Sequence, residues 1–187
     1  MKYLIAGLGN VGPEYQDTRH NVGFVILDAM ASAAGIGFRD KRYGFISEYR
    51  YRGHVLVLLK PSTYVNRSGL AVLHWLKKRS VPLENLLVVV DDIALQLGTV
   101  RLRPGGGDGG HNGLRNIIDV LGTQDFARLR IGIGNDFSFG SQVDYVLGKW
   151  TPEEEQAVKA KIPHCIDMIR DFAVSGLEYT MNTYNKR

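Results

Sequence analysis

Cysteine is almost absent from this chain. Cys165 is the only one among 187 residues, so no internal disulfide can form, and neither a thiolate zinc site nor a C-x-x-C redox pair can be built. A buried thiol on a C-terminal helix is the plain role left to it. Long apolar runs are missing too, which excludes a bilayer-crossing helix. The opening Met1-Lys2-Tyr3-Leu4-Ile5-Ala6-Gly7 leads straight into a strand and lacks the apolar stretch and cleavage site of a signal peptide, so a cytoplasmic location is expected. Histidine is sparse: His20, His54, His74, His111 and His164 include no H-x-x-x-H pair, and no metal site is expected. There is no serine in a G-x-S-x-G elbow. Repeats, low-complexity tracts and linkers are also lacking, so residues 1–187 read as one domain with room for a substantial core.

What the chain does have is glycine, 22 residues of it, much of it in two clusters. Gly7-Leu8-Gly9-Asn10-Val11-Gly12 matches the G-x-G-x-x-G of dinucleotide-binding proteins. Pro13-Glu14-Tyr15 follows where the nucleotide-binding helix should already be running, and the next twenty or so residues lack a clear second strand ending in an acid, which argues against an oxidoreductase. Gly105-Gly106-Gly107-Asp108-Gly109-Gly110 could cradle a phosphate but lacks the Lys-Ser/Thr ending of a P-loop. The formal net charge of +4 mildly favours an acidic partner such as nucleic acid.

Hydrophobic spacing predicts strands over 2–7, 45–51, 54–59, 86–90, 99–103 and 128–133, the second and third joined as a hairpin at Arg52-Gly53. It predicts helices over 21–34, over 68–79 with Leu70, Leu73 and Leu76 on one side, and over 112–121. Thr151-Pro152-Glu153-Glu154 is a helix start, with a cap, Pro at the first position and Glu at the third, and opens a long helical region bent at Pro163. Interleaved strands and helices argue for an α/β three-layer sandwich with a mixed, mainly parallel sheet.

Ligands of open α/β sheets bind beyond the carboxyl ends of the parallel strands. Here the first strand runs into Asn10, with His20 a little later. The strand ending near Lys60 runs into Tyr64 and Asn66, the strand over 86–90 into Asp91, and the second glycine cluster into His111-Asn112. Each Asn or Asp alone could simply serve a turn; as a set beside two glycine clusters they mark a site. A histidine can take a proton near neutral pH, a carboxylate on its other nitrogen fixes its tautomer, and asparagine amides can donate to a developing oxyanion. Water is the better nucleophile, since no activated side chain is in evidence. His54, His74 and His164 read as structural; His111, at a helix start, reads either way.

Tyr15-Gln16-Asp17-Thr18-Arg19-His20-Asn21-Val22-Gly23-Phe24 resembles one signature of the bacterial-type peptidyl-tRNA hydrolases. The stretch from Gly107 through His111-Asn112-Gly113-Leu114 to Ile117 resembles the other, and the blocks Lys60–Gly69 and Arg128–Gly134 follow the family in order. The resemblance spans nearly the whole chain. It implies a monomeric, single-domain α/β enzyme, without metal or cofactor, that hydrolyses the ester joining a peptide to tRNA. It places His20 as the base, Asp91 as its supporting carboxylate, and Asn10, Asn66 and Asn112 as amides holding water and substrate. Tyr15 and Tyr64, inside matched blocks, join the substrate-binding set. Arg103 and Arg130 match positions that contact tRNA phosphates. Departures at Val11, Val65, Arg67 and Ala94 bear on the wall of the peptide groove. An RNA-binding relative that has lost catalysis is the main alternative; the complete polar set favours the enzyme.

Overall fold

The computed structural model describes residues 1–186. Strand β1 (Lys2–Gly7) is buried along its length after Lys2, as a strand covered on both faces must be, and β5 (Leu86–Asp92) repeats that pattern. Strands β3 (Gly44–Tyr51) and β4 (His54–Pro61) form the expected antiparallel hairpin. Its two turn residues, Arg52 and Gly53, both take positive φ, at 48° and 81°, which matches the twist of the flanking strands. With the short edge strand β2 (Arg39–Lys41), β6 (Val100–Arg103) and β7 (Ala127–Gly132), they make a seven-stranded sheet in the order β2-β3-β4-β1-β5-β7-β6. The central strands β4, β1, β5 and β7 run parallel and the outer pairings are antiparallel. The carboxyl ends of the four parallel strands therefore share one rim.

Helices cover both faces. On one, α1 (Val22–Ala33) and α6 (Ile162–Ser175) pack Ile26, Leu27, Met30, Met168 and Ile169 against Ile5, Leu58, Val89 and Leu129 of the sheet, flanked by α5 (Pro152–Lys159) and α7 (Leu177–Tyr184). On the other, α2 (Ser68–Lys78) and α3 (Asn112–Leu121) cover Leu4, Ala6, Val88 and Val90. The Thr151 capping box forms in full, with Glu154 returning to the Thr151 N–H.

Three local expectations change. The buried face of α2 is Ser68, Ala71, Val72, Trp75 and Leu76, while Leu70 is 43% exposed. The helix turns this way because Gly69 lets α3 come close: its N–H donates to the Asn116 side-chain Oδ1 at 2.8 Å, and a Cβ there would lie 2.7 Å from the Asn116 backbone carbonyl. Strand β7 does not alternate, since Arg128 is only 2% exposed, its guanidinium folded onto backbone carbonyls. The C-terminal region is three helices, broken before Pro163 and again at Gly176, whose φ of 92° ends α6. A further short helix, α4 (Gln142–Val146), has no buried residue and so no periodicity to announce it.

Candidate active site

The first glycine cluster serves close packing. A Cβ on Gly7 would sit 2.5 Å from the Gly23 carbonyl, and one on Gly23 would sit 2.6 Å from the Leu8 nitrogen. Two glycines facing each other let α1 press against the end of β1. That brings the single turn Arg19–Asn21 beside Asn10. There the Asn21 side chain, instead of capping α1, pairs with the Asn10 backbone: the Asn10 N–H donates to Asn21 Oδ1 and Asn21 Nδ2 donates to the Asn10 carbonyl, both at 2.9 Å. Asn10 Oδ1 in turn accepts the Val65 N–H at 2.8 Å. With its oxygen held by that bond, the side chain is fixed in place and its NH₂, which makes no hydrogen bond among the described residues, is the donor it can offer the cleft.

His20 Nδ1 lies 3.0 and 2.9 Å from the two oxygens of Asp91, a carboxylate only 4% exposed. His111 Nε2 approaches the same carboxylate at 2.9 Å from another side. Burial alone would lower the His20 pKa, but the Asp91 charge and hydrogen bond outweigh it and raise the group above its ordinary value. For Asp91, burial disfavours the charge, yet the two histidines facing it prevail and hold its carboxyl well below the usual carboxylate range. Asp91 thus stays an acceptor at any working pH, and His20 presents its remaining nitrogen, Nε2.

His20 and Asp91 line a cleft of about 440 Å³, together with Asn10, Tyr15, Tyr64, Asn66 and Asn112. The rings of Tyr15 and Tyr64 meet edge to face at 6.3 Å on one side. Asn66, on the turn Val65–Arg67, and Asn112, the first residue of α3, carry exposed side chains along the rim. Val143, Val146 and Leu147, on and just after α4, supply an apolar wall.

Residues 4–187 match the family model described as peptidyl-tRNA hydrolase. A curated peptidyl-tRNA hydrolase of Phocaeicola vulgatus is 54% identical over 187 residues, covering the whole of both chains. One from Bacteroides fragilis is 51% identical, again over both full lengths. The crystal structure of peptidyl-tRNA hydrolase from Acinetobacter baumannii superposes with a TM-score of 0.92 at 37% identity, covering 98% of this chain and 94% of that one. The chain belongs to the peptidyl-tRNA hydrolase family. It is an ester hydrolase acting on peptidyl-tRNA, and tRNA recycling in translation follows from that activity.

In this hydrolase the residues expected at the strand ends come together as one cleft, although they are spread from Asn10 to Asn112. The two arginines do not join it. Arg103 is exposed on β6, and Arg130 on β7 is ion-paired with Asp92. The register sets Arg101 opposite Arg130 and Arg103 opposite Arg128, so four arginines share one face of these strands. One of the four is structural: Arg128 donates to the carbonyls of Gly107 and Gln124, both at 2.9 Å, and pins the second glycine cluster to the sheet. That loop turns through positive φ at Gly106, Gly109 and Gly110.

Sequence reasoning missed Asn21 and left His111 undecided. An Asn ahead of a helix reads as an ordinary cap, and nothing local says that its amide faces a neighbouring loop. For His111 the adjoining Asn112 and glycines were the only signal. Spacing excluded a metal site, but folding gathers His20, Asp91 and His111 so that one nitrogen or oxygen from each lies within 4.8 Å of the others. Of these residues, His20 through Nδ1 and His111 through Nε2 are each hydrogen-bonded to the Asp91 carboxylate. No helix among the described residues is long and apolar enough to cross a membrane.

Proposed function

We propose that residues 1–187 act as one monomeric, cytoplasmic, metal-independent domain in which His20 draws a proton from water while that water attacks the ester carbonyl of peptidyl-tRNA. The observation that carries this reading is the His20 Nδ1 contact to both Asp91 oxygens at the floor of a cleft ringed by asparagine amides. His20 Nε2 takes the proton and Asp91 stabilises the imidazolium that results. The tetrahedral oxyanion collapses by expelling the 3′-oxygen of the terminal ribose, which recovers the proton from His20. The products are free peptide and tRNA.

Asn10 is assigned to the water. Its backbone and its side-chain oxygen are both tethered, so its NH₂ is aimed without rotamer freedom. Asn66 and Asn112 grip the ester and ribose from the rim, and Tyr15 and Tyr64 flank the substrate. Arg103 and Arg130 receive tRNA phosphates on the β6–β7 face, with Arg130 exchanging Asp92 for the polyanion. An RNA-binding protein without catalysis has no need of a buried carboxylate shared by two imidazoles, whose desolvation costs stability.

The test is release of peptide from purified peptidyl-tRNA by wild type and His20→Ala, each with and without chelator. A general base contributes roughly two to four orders of magnitude. The variant should lose that much with its fold intact, and chelator should change neither protein. Near-normal turnover by the folded variant refutes the mechanism; loss on chelation refutes metal independence.

A further inference from the structure

The His111 ring makes three hydrogen bonds, and together they define its state. Its Nδ1 accepts the backbone N–H groups of Gly113 at 3.1 Å and Leu114 at 3.3 Å, capping the first turn of α3. A nitrogen that accepts two N–H donors carries no proton of its own. The ring proton therefore sits on Nε2 and points at Asp91 Oδ1, 2.9 Å away. Imidazole is an unusual N-cap, a place that Ser, Thr, Asp and Asn dominate. Here it is accommodated because position 113 is glycine: a Cβ there would lie 2.9 Å from His111 Cε1.

We propose that His111 is a positioning residue for the base: the cap on α3 locks it as the Nε2–H tautomer, and that proton anchors the Asp91 carboxylate in the orientation His20 requires. The proposal rests on His20 being the base. The terminal torsion of an aspartate is broad and would let the carboxylate swing. With His111 on Oδ1 and His20 spanning both oxygens, rotation breaks a hydrogen bond in either direction. The same ring ties the start of α3, and so Asn112, to the carboxylate. His111 is not a second base, because one nitrogen lies under the helix N-terminus and the other faces Asp91.

The charged groups that face this triad form closed pairs. Asp92 of β5 pairs with Arg130 of β7, Asp108 of the glycine loop with Arg115 of α3, and Arg19 beside His20 with Glu154 of α5. The phenols of Tyr15 and Tyr64 line the same cleft. The Asp91 charge, divided between two imidazoles, is thus the main local field on His20.

The discriminating variant is His111→Asn. Asparagine is among the strongest N-caps, so α3 keeps its start while the donor to Asp91 is lost. kcat should fall about tenfold, the worth of one hydrogen bond to a charged group, with KM little changed. The acidic limb of kcat/KM should move to higher pH, by roughly half a unit, because Asp91 now faces His20 alone. His111→Ala should lose the cap as well and be less stable. In wild type, ¹⁵N NMR at pH 7.5 should show the His111 ring protonated on Nε2 and bare on Nδ1. A folded His111→Asn with wild-type kinetics, a lower rate with an unmoved limb, or an Nδ1–H ring overturns the proposal. If His20→Ala keeps its turnover, the base assignment has failed; the ring tautomer then still reports separately on whether His111 is locked.

Discussion

Asp91→Asn changes charge with almost no change of shape, and the geometry sets its consequences. Two ring N–H groups, from His20 and His111, converge on the carboxylate. An amide keeps one acceptor oxygen: placed at Oδ1 it meets both rings, but His20 then loses its Oδ2 acceptor and faces a donor NH₂ in its place. At a site 4% exposed, little water can make good the loss. The mismatch costs about 2 kcal/mol, the scale of a buried hydrogen bond to a charged group, and mispositions His20 by a comparable free energy. That is a loss of some thirtyfold in kcat/KM, smaller than for removal of His20. The acidic limb should also move. With Asp91 present, the His20 pKa is raised above its ordinary 6.5, so the active neutral ring is lost as pH falls through a value above 6.5. Without the charge only burial remains, which lowers the pKa, so the limb should shift below 6.5. Linkage gives a second reading with the same sign. A pKa raised by folding stabilises the native state below the unfolded value, and that stabilisation is lost as pH rises through the folded one. The Tm difference between wild type and variant should therefore be widest near pH 5.5 and narrow toward pH 8. The assay is kcat/KM against pH on purified peptidyl-tRNA for both proteins. An unchanged rate with an unmoved limb, or a limb that moves upward, would remove Asp91 from the role given to it.

The asparagines should divide by how firmly each is held. Asn10→Ala should lower kcat by roughly two orders of magnitude, whereas Asn66→Ala and Asn112→Ala, exposed on the rim, should affect both kcat and KM; no kinetic defect in any of the three would contradict the assignment. Arg103→Ala with Arg130→Ala should raise KM for full-length peptidyl-tRNA and flatten its dependence on salt, while sparing a peptide ester on a short 3′-terminal fragment. Equal losses on both substrates would move these arginines into the chemistry. Cys165, whose thiol burial pushes up to about 12, should resist alkylation in the native protein at pH 8 and react once it is unfolded. Rapid native labelling would show α6 to be opening.

Local sequence determined the framework of this protein. The apolar runs of β1 and β5, the Arg52-Gly53 turn, the Thr151-Pro152 start and the bounds of α3 follow from burial and backbone chemistry that act within a few residues. The rule that strand ends carry the site, with the family signatures, was enough to name the cleft residues. Tertiary structure alone decided whatever depends on the partner across a gap. It made Asn21 a brace for Asn10 where its own helix offered it a cap, and it buried Arg128 on a strand whose sequence alternates like an exposed one. It turned α2 so that Trp75 and not Leu70 faces inward, because Gly69 lets α3 approach. It also set His111 against Asp91, 20 residues away in the chain, and so made one carboxylate serve two rings. Hydrophobic periodicity reports which side of an element is covered, but hydrogen bonds between side chains depend on distances of a few tenths of an ångström, and only the packed layers set those.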